Sequence, residues 1–321
     1  MRHAFHRLLT AIQLTRLTMA FGAVSDLWFV VLATRAMDHD SHSGLLKMPL
    51  AVALLVAAIV AIGLFAYGAS LNDVLDVRHD AAFSPQRPIP AGRIRVGQAI
   101  VVTIGALLIS VLAGQLFGVW SLYLTLLTAV GILFYNAAGK YIPAVGMVAI
   151  GLVHALHMLI PNPRLEFMWP VWFVFTHAIL IALGAHVLEG KRPRITRQAM
   201  AAIFAGWICW TAVILGWGAF RGGWWTERTS PANIIWPFIA VVAFLFVARW
   251  KTTRVEGHVA AEKLLRYGAM WQALYGATWL LAIGLEEEAL LIALFAFLGF
   301  AAMTFIKELM GQVNRPLTFR E

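Results

Sequence analysis

Four oxygen-bearing side chains crowd the nine-residue segment "NDVLDVRHD", at positions 72 to 80. They are Asn72, Asp73, Asp76 and Asp80, and they follow about twenty residues that contain hardly a polar side chain. On an α-helix the three carboxylates share one face, and Asn72 lies at its edge. Like charges this close repel each other, most strongly at a low-dielectric boundary. The spacing therefore predicts a positive partner, and Mg²⁺, which takes oxygen ligands, fits best.

The alternative interpretation of this segment is a solvated helix end at a membrane surface, which would explain a single aspartate better than four ligands on one face. The loop that follows, "SPQRPIPAGRIR", contains three prolines and a glycine that favour a tight, rigid turn. It also carries Arg87, Arg93 and Arg95, whose guanidinium groups suit phosphate oxygens. Anchoring on the positive side of a membrane explains Arg93 and Arg95 equally well.

The composition indicates which elements must position these groups. The chain has 321 residues, of which 61% are hydrophobic and only 13% are charged. A soluble domain has about a quarter charged residues, so this composition predicts a multi-span membrane protein. The net charge of +9 does not indicate nucleic-acid binding, because the basic residues lie mainly in short segments between apolar runs, as in cytoplasmic loops.

Long apolar runs without two-residue alternation predict helices and exclude a β-barrel. We predict an all-α bundle of nine or ten transmembrane helices that forms one domain over residues 1–321. With ten spans, every basic loop and both termini face the cytoplasm, and the expected location is a bacterial plasma membrane. The predicted spans are about 18–35, 49–70, 96–117, 119–138, 142–160, 168–188, 199–219, 232–249, 267–285 and 288–306.

The acidic segment and the loop after it resemble a known motif. "NDVLDVRHD" followed by "RPIPAGRI" is similar to the first aspartate motif, NDxxDxxxD, of the UbiA superfamily of intramembrane prenyltransferases, together with its Arg-Pro-Ile-Pro continuation. The similarity extends to Arg16 at the start of the first span and to "YNAAGKY", residues 135 to 141, after the fourth. Together with the helical layout it covers most of the chain up to about residue 200.

The resemblance implies a specific chemistry. Members of the family bind an isoprenoid diphosphate in a helical bundle, hold its diphosphate with Mg²⁺, and transfer the prenyl group to an acceptor that is often aromatic. The roles implied for catalysis fall on Asp73, Asp76 and Lys140. The implied Mg²⁺ ligands are Asn72, Asp73, Asp76 and Asp80. The implied substrate-binding residues are Arg16, Asn72, Arg87, Tyr135, Lys140, Glu189 and Lys191.

The sequence departs from the family at the second aspartate motif. Many members read roughly D-x-x-D-x-E-G-D after the sixth span, whereas this chain reads "GAHVLEGKRPRIT". Aligning the shared Glu-Gly puts Gly184, Val187 and Lys191 at the aspartate positions and keeps only Glu189, with His186 as a substitute ligand. The chain thus resembles divergent UbiA-like proteins such as the EboC-type branch. Lys191 is interpreted either as a basic clamp on the diphosphate or as a loop anchor.

Polar residues inside the predicted spans are further candidates. His154 and His157 lie one turn apart in the fifth span, His177 lies in the sixth, and Asp26 lies in the first. Ionisable groups inside a span are functional candidates by default. His154 and His177 either line the cavity or hydrogen-bond to a neighbouring helix, and a two-histidine metal site would need further ligands. Asp26 either pairs with an arginine or faces a water-filled pocket.

Three functions compete at this stage. The leading prediction is a Mg²⁺-assisted prenyltransferase that uses an isoprenoid diphosphate and a small-molecule or lipid acceptor. The second is a UbiA-fold protein that binds a lipid or isoprenoid and serves transport or assembly in a biosynthetic pathway, which the altered second motif favours. A transporter is the weakest, because no paired broken helices occur at mid-membrane depth. The sequence gives no oligomeric state.

Overall fold

A computed structural model describes residues 2–37, 44–222 and 229–312. The described residues form twelve α-helices, with short 3₁₀ turns between some of them and no β-strand in these ranges. In chain order the helices α1 to α12 are Arg2–Thr15, Phe21–Met37, Leu50–Leu75, Val77–Phe83, Val96–Gln115, Val119–Ala137, Pro143–Met158, Trp169–Glu189, Arg197–Arg221, Ile235–Thr252, Gly257–Ala282 and Glu286–Gln312.

Ten of these helices, α2, α3 and α5 to α12, lie at the ten predicted spans, and the all-helical prediction is confirmed. Their backbones form helices because hydrocarbon offers no hydrogen-bonding partners, so each peptide group must pair within its own segment. Seven of the helices are long and apolar enough to cross a membrane, namely α3, α5, α6, α8, α9, α10 and α12. A further apolar helix, α7, is shorter.

The helices pack side by side around a shared interior. α2 contacts α3, α3 contacts α5, α6 contacts α7, α7 contacts α8, and α11 lies against α2, α8, α10 and α12. α9 and α10 lie at the periphery, where large side chains such as Phe220 and Phe246 are 86% and 70% exposed. Apolar exposure on this scale suits a lipid-facing surface.

The two ends of the bundle differ in chemistry. One end is closed by a large apolar cluster that includes Phe29, Met158, Phe167, Phe175 and Trp279. The Trp279 ring makes an edge contact with Phe167, at 5.3 Å between centroids. At the other end, α3, α6 and α8 finish and α2, α7 and α11 begin. The charged residues lie at or next to these helix termini. A Lys307–Glu262 ion pair of 2.7 Å joins the end of α12 to the start of α11 at this end. We refer to this end of the bundle below as the charged end.

One helix lies outside the predicted spans, and one predicted boundary was wrong. The N-terminal arm is a helix, α1, because Leu9 and Leu14 give it a buried face. Helix α11 begins at Gly257, ten residues before the predicted span at 267. Its first turns are polar, and the hydropathy pattern therefore assigned them to a loop. They are helical because Glu262 finds partners there, including Lys307.

Candidate functional site

The acidic segment forms a corner between two helices. α3 ends at Leu75, Asp76 has φ −93° and ψ 10°, and α4 begins at Val77. The backbone N–H of Asp76 still donates to the Asn72 carbonyl at 2.9 Å, and that of Asp80 donates to the Asp76 carbonyl at 2.8 Å. The spacing of the carboxylates predicted one continuous helix with all three on one face. The helix is interrupted at Asp76, and the carboxylates contact two separate groups of cations.

Asp73 and Asp80 form the first group, around the guanidinium of Arg87. Arg87 Nη1 lies 2.7 Å from Asp80 Oδ2 and 3.6 Å from Asp73 Oδ1. Arg16 Nη2 donates to Asp73 Oδ1 at 3.1 Å. Both carboxylates are almost completely buried, at 3% and 2% exposure. Charges this deeply buried need close, hydrogen-bonded partners, and two arginines from distant segments supply them.

Asp76 and Asn72 form the second group, around the ammonium of Lys140. Lys140 Nζ lies 2.6 Å from Asp76 Oδ2 and 3.2 Å from Asn72 Oδ1. The phenol of Tyr141 donates to Asp76 Oδ1 at 3.3 Å. Burial raises the pKa of Tyr141 above its usual value near 10, and the Asp76 carboxylate adds to the shift. Tyr141 therefore stays a donor near neutral pH.

The proline-rich loop holds Arg87 in place. Its backbone folds into successive turns, in which the N–H of Arg87 donates to the Ser84 carbonyl at 3.0 Å and the N–H of Ala91 donates to the Arg87 carbonyl at 2.9 Å. Ile89 anchors the loop in a small apolar cluster with Leu14 of α1. Helix α1 thus packs over this corner of the bundle, and its residue Gln13 accepts a hydrogen bond of 2.8 Å from Arg93.

Arg16 occupies a bend that few residue types adopt. Its φ of 47° and ψ of 33° lie in the left-handed region, between α1 and a short 3₁₀ turn. A side chain there costs about 1–2 kcal/mol, which the surrounding structure must offset. The ion pair with Asp73 is one interaction that does so.

The donor chemistry of this corner suits a divalent cation. The oxygens of Asn72 and Asp76 already converge on one positive charge, the Lys140 ammonium. Carboxylate and amide oxygens are ligands of the type that Mg²⁺ accepts. Among the described residues, however, no three or more acidic, histidine or cysteine side chains are grouped to share an ion. The prediction that Asn72, Asp73, Asp76 and Asp80 hold Mg²⁺ stays a prediction.

The end of α8 is built differently. Lys191 Nζ lies 3.5 Å from Glu189 Oε2, within the same turn. Gly190 ends the helix with φ 67°, and the N–H of Lys191 donates back to the His186 carbonyl at 3.1 Å. A Cβ on Gly184 would stand 2.7 Å from Leu264 Cδ2 of α11. A larger side chain at that position therefore requires the Leu264 side chain to move.

The structure thus brings most of the predicted site residues to one end of the bundle. Tyr135 lies half-buried in the last turns of α6, near the Lys140 turn. His186 is buried, with its Nε2 3.0 Å from the Pro193 carbonyl. Sequence reasoning missed Tyr141 and Gln13. The position of Tyr141 next to Lys140 was the available signal for Tyr141, whereas nothing in the sequence indicated Gln13.

Comparison with known proteins shows which family this chain resembles. Residues 27–267 match the profile of the UbiA prenyltransferase family, a match that begins after Arg16. The digeranylgeranylglyceryl phosphate synthase of Metallosphaera sedula is 27% identical over 241 residues, which cover 68% of this chain and 80% of the relative. That of Saccharolobus solfataricus is 37% identical over 83 residues, 26% and 29% of the two chains. A solved structure concerning digeranylgeranylglyceryl phosphate synthase in membranes has 18% identity and a TM-score of 0.44, over 93% of this chain and 96% of the other.

Proposed function

This chain belongs to the UbiA prenyltransferase family, and we propose that it transfers a prenyl group from an isoprenoid diphosphate to a lipid-like acceptor within the membrane. It is an integral membrane protein, as its seven long apolar helices and its family indicate. The named relatives are synthases of a digeranylgeranylglyceryl phosphate, which supports a donor with an isoprenoid chain and an acceptor of lipid character.

The observation that carries the proposal is the set of cations over the acidic corner. Arg16, Arg87 and Lys140 come from three separate segments and meet at Asp73, Asp76 and Asp80. The buried Nε of Arg87 has no hydrogen-bond acceptor within the described part of the chain. A buried donor of this kind costs about 1–3 kcal/mol when it is left unsatisfied. A diphosphate oxygen would satisfy it, and guanidinium groups bind such oxygens well.

The four oxygen ligands would hold Mg²⁺ when the diphosphate is bound. They are Asn72, Asp73, Asp76 and Asp80. Without substrate, the negative charge of the three aspartates is balanced by arginine and lysine side chains of this chain. Bound Mg²⁺ supplies positive charge that stabilises the departing diphosphate. We assign Asp73, Asp76 and Lys140 to catalysis, because each would contact the metal or the leaving group.

The other residues proposed to contact the substrate have less direct structural support. Tyr135 and Asn72 lie at the charged end beside Lys140 and would border the diphosphate. Glu189 and Lys191 would act from the end of α8, where their own ion pair must first open. The apolar interior between the helices would hold the isoprenoid tail and keep water from the reactive allylic carbon.

The proposed location is a bacterial plasma membrane with the charged end facing the cytoplasm. Single-cysteine labelling tests whether the acidic corner and the end of α8 face the same side of the membrane. In a Cys209→Ser background, Arg78→Cys at the acidic corner and Arg192→Cys after α8 replace two exposed side chains. Both should react with an impermeant thiol reagent from the cytoplasmic side only. Labelling of the two positions from opposite sides would contradict the arrangement.

A second candidate function is lipid or isoprenoid binding without turnover. The observation that favours it is the end of α8, where Gly184 packs against Leu264 and Lys191 neutralises Glu189. A site with only one of the two aspartate motifs would bind fewer metal ions. It would therefore have less positive charge to stabilise a leaving diphosphate. Binding would then persist while catalysis is slow or absent.

The test of the proposed function is diphosphate release by the protein in lipid nanodiscs. We would supply prenyl diphosphates of graded length, Mg²⁺ and a membrane lipid extract as the source of acceptor. Asp76→Asn should lower the rate roughly a hundredfold, because it removes a charge from the cation-binding corner. The exposed Glu256→Gln is the matched control and should behave like the parent. Tight donor binding without release in any condition would favour the binding protein instead.

A further inference from the structure

A group of polar side chains lies deep among the helices, and the proposed function does not use it. It comprises Asp26 of α2, His154 and His157 of α7, and Gln272 of α11. Three of them are more than nine-tenths buried, with exposures of 2% for Asp26, 7% for His157 and 6% for Gln272. Polar groups in a membrane interior are expensive and call for a specific reason.

The group bridges the interior of the bundle. His154 Nδ1 lies 3.1 Å from Gln272 Nε2. Helices α2 and α8 each contact both α7 and α11, so this hydrogen bond crosses a space that the four helices enclose. Helix α7 is itself surrounded by α2, α6, α8 and α9, yet His154 keeps part of its surface accessible. The accessible part of His154 therefore lies in the space between these helices.

Helix α2 brings Asp26 to within about one helical turn of this bridge. A Cβ on Gly22 would stand 3.3 Å from Gln272 Oε1, and Asp26 follows Gly22 by one turn on the same face of α2. Asp26 Oδ2 and His157 Nε2 are buried without a hydrogen-bond partner in the ranges that the structure describes. Each such atom favours a polar neighbour and disfavours hydrocarbon.

The depth of the His154–Gln272 bridge follows from helix geometry. Helix α7 starts at Pro143, just after Lys140 at the acidic corner, and His154 comes eleven residues later. At 1.5 Å per residue it lies about 16 Å further into the membrane. Past the polar group, Phe29 of α2 and Met158 of α7 belong to the large apolar cluster. A tail that enters from the acidic corner would therefore meet the polar group before it meets these two side chains.

We propose that the His154–Gln272 bridge, with Asp26 and His157 beside it, is a polar floor that limits the length of the hydrocarbon tail in the substrate. This inference rests on the proposed function, in which the diphosphate is held at the acidic corner. Each methylene of the tail gains free energy until the tail reaches the floor. A longer tail must press against groups that it cannot hydrogen-bond, so the gain stops there.

The experiment measures affinity against tail length. Non-hydrolysable thiolodiphosphates with two, three, four and five isoprene units are titrated into the protein in nanodiscs, with Mg²⁺ present. For the parent, affinity should rise with length and then stop rising. The double variant His154→Leu with Gln272→Leu removes the bridge and should bind the longest donor roughly tenfold more tightly than the parent does. Its affinity for the shortest donor should stay within about twofold.

Two controls separate the floor from a general effect. Gln115→Leu adds an apolar side chain at the exposed end of α5 and should keep the parental length profile. His154→Gln retains a polar group at the bridge and should also keep it. Should the double variant fail to fold, as judged by gel filtration and helical circular dichroism, the single change Gln272→Met carries the same test with a smaller expected gain.

The outcomes also separate this inference from the proposed function. If the parent binds donors with Mg²⁺ but the variants leave the length profile unchanged, the floor is wrong and the proposed function stands. If the double variant loses affinity equally for every length, the polar group recognises a ligand and does not limit a tail, which also overturns the inference. If the parent binds no prenyl diphosphate of any length, both proposals are wrong.

Discussion

The acidic corner at the end of α3 and the end of α8 lie at the same end of the bundle but balance their charges in different ways. At the acidic corner, Asp73 and Asp76 pair with cations that lie 57 and 64 residues away in the chain. At the end of α8, Glu189 pairs with Lys191, two residues away. Long-range pairs between buried groups fix three segments relative to one another, whereas the local pair only completes a helix terminus.

This difference supports the proposal that the acidic corner, and not the end of α8, receives the charged ligand. Burying Asp73 and Asp80 is costly unless the partners are held closely, and the fold provides those partners from the bend after α1 and from the proline-rich loop. A ligand with two or more negative charges can bind to these cations with little reorganisation of the protein, because the hydrogen-bond donors are already in place. The end of α8 offers no comparable arrangement, since Gly184 is packed against Leu264.

Arg87→Met should have the largest effect on stability. It leaves the Asp80 and Asp73 carboxylates buried with fewer partners, which should lower the free energy of unfolding by roughly 3–5 kcal/mol. The measurement is thermal unfolding in detergent, compared with Arg78→Met, whose side chain is exposed. Adding Asp80→Asn to Arg87→Met should recover part of the loss. Equal stability of the two single variants would show that the acidic corner is a solvated helix end.

Gly184→Asp restores an acidic residue at the end of α8 and should be destabilising. The new Cβ would stand 2.7 Å from Leu264 Cδ2, and overpacking of this kind costs typically about 1–3 kcal/mol. Gly184→Ala carries the same Cβ without the charge and separates the two contributions. Leu264→Ala combined with Gly184→Asp should relieve the clash. Full stability of Gly184→Asp would mean that this position is open, and that the two regions are more alike than the structure indicates.

Lys191→Ala should have the smallest effect. Its ion pair with Glu189 is one-third exposed on the lysine side, and exposed pairs contribute about 1 kcal/mol or less. We therefore expect at most about a fivefold loss of affinity for a prenyl thiolodiphosphate. A loss of a hundredfold that extra Mg²⁺ does not restore would instead establish Lys191 as a basic clamp equal to the acidic corner.

The helices could largely be predicted from the sequence, because backbone groups in hydrocarbon leave few alternatives. Hydropathy failed as a guide where a helix is polar. Helix α1 and the first turns of α11 carry charged residues, so hydropathy left them outside the predicted spans, and the partners that stabilise them lie far along the chain. The interruption of the helix at Asp76 was missed as well, because no proline or glycine marks it in the sequence.

The site was predicted in composition but not in arrangement. Spacing placed Asp73, Asp76 and Asp80 on one face, and repulsion between them required a positive partner. We assigned that role chiefly to Mg²⁺, whereas the structure places Arg16, Arg87 and Lys140 against them. Contacts between residues so far apart are set by helix packing, which no local pattern encodes. The bond between His154 and Gln272 was missed for the same reason.

The most direct test of the account is the affinity of Lys140→Gln for a non-hydrolysable prenyl thiolodiphosphate as Mg²⁺ is varied. Lys140 contacts both Asn72 and Asp76, and its removal takes away one charge aimed at the diphosphate. The account predicts Mg²⁺-dependent binding by the parent, unchanged binding by the exposed control Arg78→Gln, and at least tenfold weaker binding by Lys140→Gln at saturating Mg²⁺. Parental affinity of a well-folded Lys140→Gln variant would contradict it.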